Sequence, residues 1–450
     1  MGLNGPASQP RKPQIKRAES PFAAGVFDDE RERAVGRSVV IVELALNFGR
    51  EHGLRIAVRG GGHNGPGLAS CNDGLMIDLS RMKGVRVEPK TRTIRADAGC
   101  TQGDVDHAAH AFGLAIPAGI VSTTGIAGLT LGGGHGYLSR AYGLTIDNLL
   151  EADVVLADGR FVTASERENP DLFWALRGGG GNFGVVTSFL YRAHSVRDVY
   201  GGPIFWDIAH AKEIMQFYRE FLAQAPEALC PFLGLKKVPS SAPFPKELWG
   251  TPICALICCY AGSASEGEQA LRPVRQQLPK PILDWVSLMP FPKMQSLFDG
   301  LLPKGLQWYW KGDFVKSLPD AAIDTHIAQI ARAPSELSLM HLYPIDAAVQ
   351  RVSASATAWS ARDATWSMVI AGIDPDPSKA GALAKWGRAY WDAVHPHDMA
   401  GAYVNFMNDD EPDDRVQATY GPNYARLRAL KKKYDPENLF RMNQNIPPAP

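Results

Sequence analysis

Apolar positions in the first half of the chain fall into short runs separated by glycine, proline, asparagine and aspartate. From about Arg31 to Gly53 their spacing is helical, and the segment closes on "REHG", basic residues before a glycine stop. Four strand-like runs follow: "LRIAV" (54–58), "GLMIDL" (74–79), "GVRVE" (84–88) and "RTIRA" (92–96). The last two form a hairpin around Pro89-Lys90-Thr91. Thr101 then caps a helix with Val105, Ala108, Ala109 and Phe112 on one face and Gly113 as its stop. "EADVVLADGRFVTAS" (151–165) reads as a second hairpin turning at Asp158-Gly159. Asn169 and Pro170 open a short helix, "NPDLFWALR", and "GVVTSFLYRAHSV" (184–196) returns as a strand.

Beyond residue 196 the texture changes. A helix is expected at 207–224, a strand in "TPICALICCYAG" (251–262), a charged helix at 264–278, a Trp-rich stretch at 306–314, and strands near 337–344 and 365–373. This pattern predicts an α+β protein whose second part holds one larger antiparallel sheet backed by helices. The tail carries a helix at 415–434 and a Pro-rich end. The implied division is an arm at 1–20, rich in Pro, Lys, Arg and Ser and expected to be disordered, then units at 21–196, 197–400 and 401–450.

Composition narrows the partners. The chain has 450 residues, and Lys+Arg 47 balance Asp+Glu 47. No global field draws it to nucleic acid or an anionic membrane, so a small molecule is the expected partner. Cys71, Cys100, Cys230, Cys254, Cys258 and Cys259 form no repeated C-x-x-C pair, which argues against zinc and for reduced thiols. With no apolar signal segment after the basic N-terminus and no run of transmembrane length, a cytoplasmic protein is expected.

Candidate chemistry gathers in three glycine clusters, "GGGHNG" (60–65), "GLTLGGGHGY" (128–137) and "GGGGNFG" (178–184). The first and third fit G-x-G-x-x-G, but each runs on into a strand where the dinucleotide fingerprint needs a helix. A nicotinamide-dependent Rossmann enzyme is therefore disfavoured. What remains is several loops whose backbone amides can approach one large ligand. His63, between Gly62 and Asn64, stands where ligand and backbone would meet. Imidazole there can be a base, a nucleophile or a metal ligand, and no second ligand at suitable spacing supports the metal.

The segments "AVRGGGHN", "PAGIVSTTGIAGLTLGGGHGYLSRAYGLTIDNLLEADVVLADG", "NPDLFWALRGGGGNFGVVTSF" and "AYVNFMNDDE…YGPNYARLRALKKKYDPENLFRMNQNIPP" closely resemble FAD-linked oxidoreductases of the berberine bridge enzyme-like branch of the vanillyl-alcohol oxidase superfamily. The resemblance implies a two-part FAD-binding domain of the PCMH type, completed by the C-terminal tail, with a substrate domain between. It implies that His63 bonds covalently to the flavin 8α-methyl carbon, which raises the cofactor's potential. Arg59, Gly60, Gly61, Gly62, Asn64 and Gly65 would surround the pyrophosphate. Gly119, Thr123, Thr124, Gly125, Gly128, Leu129, Gly132, Gly133, Gly134 and Gly136 would line the cofactor further along. Tyr403, Asn405, Asn443 and Asn445 would close the flavin side.

The implied reaction is hydride transfer to flavin N5 from a hydroxyl-bearing or otherwise oxidisable small molecule, a sugar or a secondary metabolite, with dioxygen or another molecule as acceptor. The chain departs from the family in four places. Val121 stands where doubly linked members carry cysteine, which implies a single attachment and a lower flavin potential. Phe406 replaces the second tyrosine of Y-x-N-Y, removing the usual base and leaving Tyr403 first, with Tyr343, Tyr309 and His341 as alternatives. Thr124 replaces the Val or Leu associated with oxygen gating in plant members, so oxidase and dehydrogenase both stay open. Finally, "SPFAAGVFDDERERAVGRSVV" does not match the family's N-terminal strand and turn. The competing reading is a flavin-free or non-catalytic binding relative of the same fold.

Overall fold

The computed structural model describes residues 30–450, with side chains from residue 39 onward; the 1–20 arm expected from composition and most of the divergent segment after it lie outside the described residues. The helix Glu30–Glu51 leads into a parallel pair, Arg55–Arg59 with Gly74–Asp78. Beside it is a five-stranded antiparallel sheet in the order Val85–Glu88, Thr93–Asp97, Val185–Arg192, Leu149–Val155, Phe161–Ser165. Thr101 caps Gln102–His110 with a reciprocal bond to Asp104, as its position predicts. That helix ends before Phe112, which is exposed rather than on the buried face expected for it.

Residues of the tail enter the same core as this first unit. Val404, Met407, Leu427, Tyr434, Phe440 and Ile446 pack in one cluster with Ile56, Ile94, Leu172 and Phe189. Lys431, fully buried, donates to the carbonyls of Asn182 and Phe440 at 2.8 Å and to Asp435 at 2.7 Å. A buried ammonium is tolerable only when its protons are all met, and here three acceptors meet them. The glycine loop at 178–184 is thus tied to the tail.

The expected large antiparallel sheet has eight strands. The main path runs Leu283–Asp284, Asp198–Asp207, Pro252–Tyr260, Leu229–Lys237, Leu339–Pro344, Trp366–Asp374, Gln307–Val315, and Ser287–Pro290 also pairs with Asp198–Asp207. Strand alternation divides its two faces. Leu233, Leu235, Met340, Leu342, Met368 and Ile370 face the helices Ala211–Gln224, Ala264–Gln277, Asp320–Ile330 and Ala380–Val394. Phe232, Tyr343 and Val369 belong to the opposite face.

Several elements escape the sequence pattern for identifiable reasons. Asp198–Asp207 and Leu229–Lys237 contain Gly-Gly-Pro and an internal proline, which read as turns. Ala380–Val394 holds two glycines that weaken its helical signal. Gly387 serves a close approach, since a Cβ there would stand 2.8 Å from the Tyr309 ring, and on the facing strand Trp366–Asp374 a Cβ on Gly372 would stand 3.0 Å from Leu383 Cβ. In the tail, the single helix expected at 415–434 is two, Asp413–Tyr420 and Tyr424–Tyr434, parted at Gly421, whose φ is +50°, and Pro422.

Arg140 joins the two units. Fully enclosed, it donates to both carboxylate oxygens of Asp346, at 2.7 and 3.1 Å, and to the carbonyls of Leu222, Pro226 and Leu229 around the end of the helix Ala211–Gln224. Removing one partner of such a buried pair strands the other charge. Asp346→Ala is expected to cost about 3–5 kcal/mol, read as a lower denaturation midpoint; an unchanged midpoint would show that the pair does not join the units.

Candidate functional site: a cavity between the glycine loops and the sheet

The free face of the large sheet roofs a cavity of about 370 Å³ whose floor is the glycine loops and the tail. Two loops of the floor meet backbone to backbone. A Cβ on Gly61 would lie 2.4 Å from Gly125 Cα, so neither position admits a side chain. Among the described residues, the amides of Gly61, Gly62, His63, Asn64 and Gly65 find no protein acceptor. His63 lies on the wall, and its ring has no hydrogen-bond partner there. Although exposed to the open cavity, the ring is flanked by walls that lower its pKa by desolvation, partly opposed by the charge of Asp299, so at neutral pH the imidazole is uncharged and nucleophilic.

Polar atoms without partners mark the rest of the wall. Asn443 Oδ1, Tyr420 OH, Trp310 Nε1 and His135 Nδ1 are buried, face no partner, and belong to lining residues. Unmet buried polar groups point to a ligand that would satisfy them. Together with the free loop amides they fit a long cofactor that alternates polar and apolar parts, as FAD does. A Cβ on Gly128 would meet nothing within 4 Å, which leaves the backbone bare toward the cavity.

Four rings cluster at the centre. His135 lies 4.5 Å from Tyr403, 5.2 Å from Tyr343 and 5.4 Å from Phe406, centroid to centroid. Burial holds His135 neutral, with a pKa of about 3, and its Nε2 is 3.1 Å from Ser367 Oγ. The Tyr403 hydroxyl accepts from the Gly134 amide at 3.1 Å and from Asn405 Nδ2 at 2.7 Å. Those bonds favour phenolate, yet burial outweighs them and pushes Tyr403 up to about 12. Tyr343 is raised by burial too, and its hydroxyl is 2.6 Å from His341 Nδ1. His341 is pressed down to about 3 by burial and by the nearby charge of Lys236, so its ring is neutral, and in the tautomer protonated at Nε2 its Nδ1 accepts from the Tyr343 hydroxyl.

Of the residues singled out from sequence, Gly60, Gly61, Gly62, His63 and Asn64 line the cavity, as do Gly119, Thr124, Gly125, Gly128 and Leu129. Tyr403, Asn405, Asn443, Tyr343, His341 and Val121 line it as well. Others stand behind the wall. Gly132, Gly133, Gly134 and Gly136 make room for Asn405, Trp359, Thr145 and the carbonyls of Ala118 and Gly119 respectively. Gly65 backs onto the Trp310 ring, and Arg59 lies under Gly62. Thr123 is exposed and Asn445 is set back, and neither lines the cavity. Tyr309 points to the other face of its strand and donates to Asp410 at 3.0 Å, which removes it from the site. His135, Lys236 and Gln444, not singled out from sequence, also line the cavity, together with Gly180, Gly181 and Asn182 of the third glycine cluster. The "GGGGNFG" cluster and the histidine inside "GGGHGY" were visible signals; Lys236 carries none.

Comparisons with known proteins agree with this geometry. Residues 37–165 match the family described as FAD binding domain, and residues 402–447 the one described as berberine and berberine like. An FAD-linked oxidoreductase of Dictyostelium discoideum is 30% identical over 414 residues, covering 92% of this chain and 87% of that protein. The crystal structure of 6-hydroxy-D-nicotine oxidase from Arthrobacter nicotinovorans superposes with TM-score 0.81 at 25% identity, covering 94% of this chain and 97% of that one. Chitooligosaccharide oxidase superposes with TM-score 0.79 at 26% identity, covering 92% and 90%.

The contact between the two loops sets a measurable condition. Gly61→Ala forces them apart at an overpacking cost of about 1–3 kcal/mol, so flavin absorbance per chain is expected to fall. Gly381→Ala, where a Cβ meets nothing, is the control. Equal flavin content in both variants would show that the contact does not shape the site.

Proposed function

We propose that this chain, which belongs to the FAD-linked oxidoreductase family, oxidises a small, largely apolar secondary metabolite at a hydroxyl-bearing carbon, with its flavin held covalently by His63 alone. The protein is an FAD-dependent oxidoreductase, as its relatives are. Bound FAD would supply the two-electron acceptor for a hydride from the substrate. The observation that carries the reading is the facing of two walls across one cavity, the His63 loop below and the Tyr343–His341 pair on the sheet above.

Each residue has a part. His63, neutral and unbonded within the protein, is the nucleophile for attachment to the 8α-methyl carbon. Val121 on the wall offers no thiol for a second link, which supports a single attachment and a lower potential than doubly linked relatives have. Tyr343 faces the substrate's hydroxyl and takes up its proton while sharing its own in the 2.6 Å bond with His341 Nδ1. Tyr403 positions: its hydroxyl is engaged by two donors and bridges the tail to the loop at Gly134. One relative is described as a 6-hydroxy-D-nicotine oxidase and another as a chitooligosaccharide oxidase. The roof here, with Ile253, Ile257, Leu339, Val369, Trp308 and Trp310, is largely apolar and aromatic apart from Lys236, His341 and Tyr343, which favours an aromatic metabolite over a sugar. Dioxygen or another small acceptor completes the cycle.

Two experiments test this reading. Purified protein is expected to stay yellow after acid precipitation, with the flavin on the tryptic peptide containing His63 and none elsewhere; flavin on another residue, or none, sinks the assignment. Tyr343→Phe is expected to lower kcat by about 10²–10⁴ with flavin content intact, and Tyr403→Phe to do less to kcat but lower stability by about 1–3 kcal/mol, since the Gly134 amide loses its acceptor. Full turnover in Tyr343→Phe would return the proton-accepting role to another group.

A further inference from the structure

Lys236 is, among the described residues, the sole lysine or arginine on the cavity wall, and no aspartate or glutamate shares that wall. It sits on the strand Leu229–Lys237 in the alternation that also turns Gly234 into the cavity. Across the ladder Gly234 stands opposite His341 and Lys236 opposite Leu339. Lys236 and His341 are therefore diagonal neighbours on one face, close enough for long side chains to meet. Gly234 provides the space between them: a Cβ there would stand 3.0 Å from His341 Cδ2 and 3.2 Å from Nε2.

The fully buried cations among the described residues are all paired. Arg140 has Asp346, Arg362 has Asp147, Lys311 and Arg415 share Glu411, and Lys431 has Asp435. Lys236 has no carboxylate within 4.0 Å and no hydrogen-bond acceptor among the described residues, and burial lowers its pKa to about 8. The half-buried ammonium stays mostly charged at neutral pH, opens to the cavity and has no protein anion beside it. Around it the wall is aromatic, with Phe205, Phe244, Phe298, Trp308 and Trp310.

We propose that Lys236 binds the acidic group, a carboxylate or phenolate, of an aromatic substrate, and so sets the substrate class of this site. The proposal rests on the oxidoreductase reading only in sharing its cavity. It carries a consequence for the Tyr343–His341 pair: a bound anion cancels the like charge that Lys236 imposes on His341, making the imidazole a better acceptor for the Tyr343 proton when the correct substrate is present. Lys236 in this way both selects the substrate and conditions the proton transfer.

The test compares benzoate with benzamide, alike in shape and different in charge, titrated into the holoenzyme and followed by the flavin absorption band and by calorimetry. Wild type is expected to bind benzoate about 10- to 100-fold more tightly than benzamide. Lys236→Met is expected to lose that preference while binding benzamide as before, and Lys236→Arg to keep it in part. Absence of the preference in wild type, or its survival in Lys236→Met, overturns the proposal. So does a Lys236→Met protein whose ligand preference is unchanged but whose flavin potential falls, since the ammonium would then serve the cofactor. Failure of the oxidoreductase reading would appear separately, as protein without flavin, in which calorimetry still measures the preference.

Discussion

The meeting of Gly61 with Gly125 is the contact on which the site depends. Two loops come together with no side chain on either, so their amides and the ring of His63 turn toward one space and stay there. Everything else on the floor refers to that junction. The helix Ile126–Gly132 begins directly after Gly125, and Asn405 of the tail donates to the Gly128 carbonyl at 3.1 Å. Asn443 does the same for the third loop at Gly181, also at 3.1 Å. Three stretches far apart in sequence are thereby fixed by backbone carbonyls, which a change of side chain elsewhere leaves in place.

The roof is held by different means. Its helix side is an ordinary apolar core, while its cavity side carries few polar groups. Arg140 spans the join and satisfies the carbonyls at the end of the helix Ala211–Gln224, where cations are favoured. A second buried pair, Arg362 with Asp147, and the bond from the Ser122 amide to Asp299 also cross the join.

Much of this was legible in the sequence where local rules act alone. The Thr101 cap, the Asp158-Gly159 hairpin and the glycine loops declare themselves through residue type and spacing. The strands Asp198–Asp207 and Leu229–Lys237 did not, because proline and glycine within them signal turns and only the neighbouring strands override that signal. In the site, His63 was visible because glycine surrounds it. The run Gly132–Gly136 looked equally suited to a cofactor, yet its glycines serve to admit Trp359, Thr145 and the tail; bareness of backbone does not say which neighbour uses it. Lys236 was silent for the opposite reason, since an unpaired cation is defined by what is missing around it in three dimensions.

The two-sidedness of the large sheet has one more consequence. Successive residues of its central strands answer to different neighbours, so that in Leu229–Lys237 the odd positions Leu233 and Leu235 belong to the helix-side core and the even positions Gly234 and Lys236 to the cavity. A change of side chain at Lys236 faces the cavity and not the helix-side core. The protein therefore carries a surface that can be rewritten for new molecules at little cost in folding, a kind of interchangeable ceiling over a permanent floor.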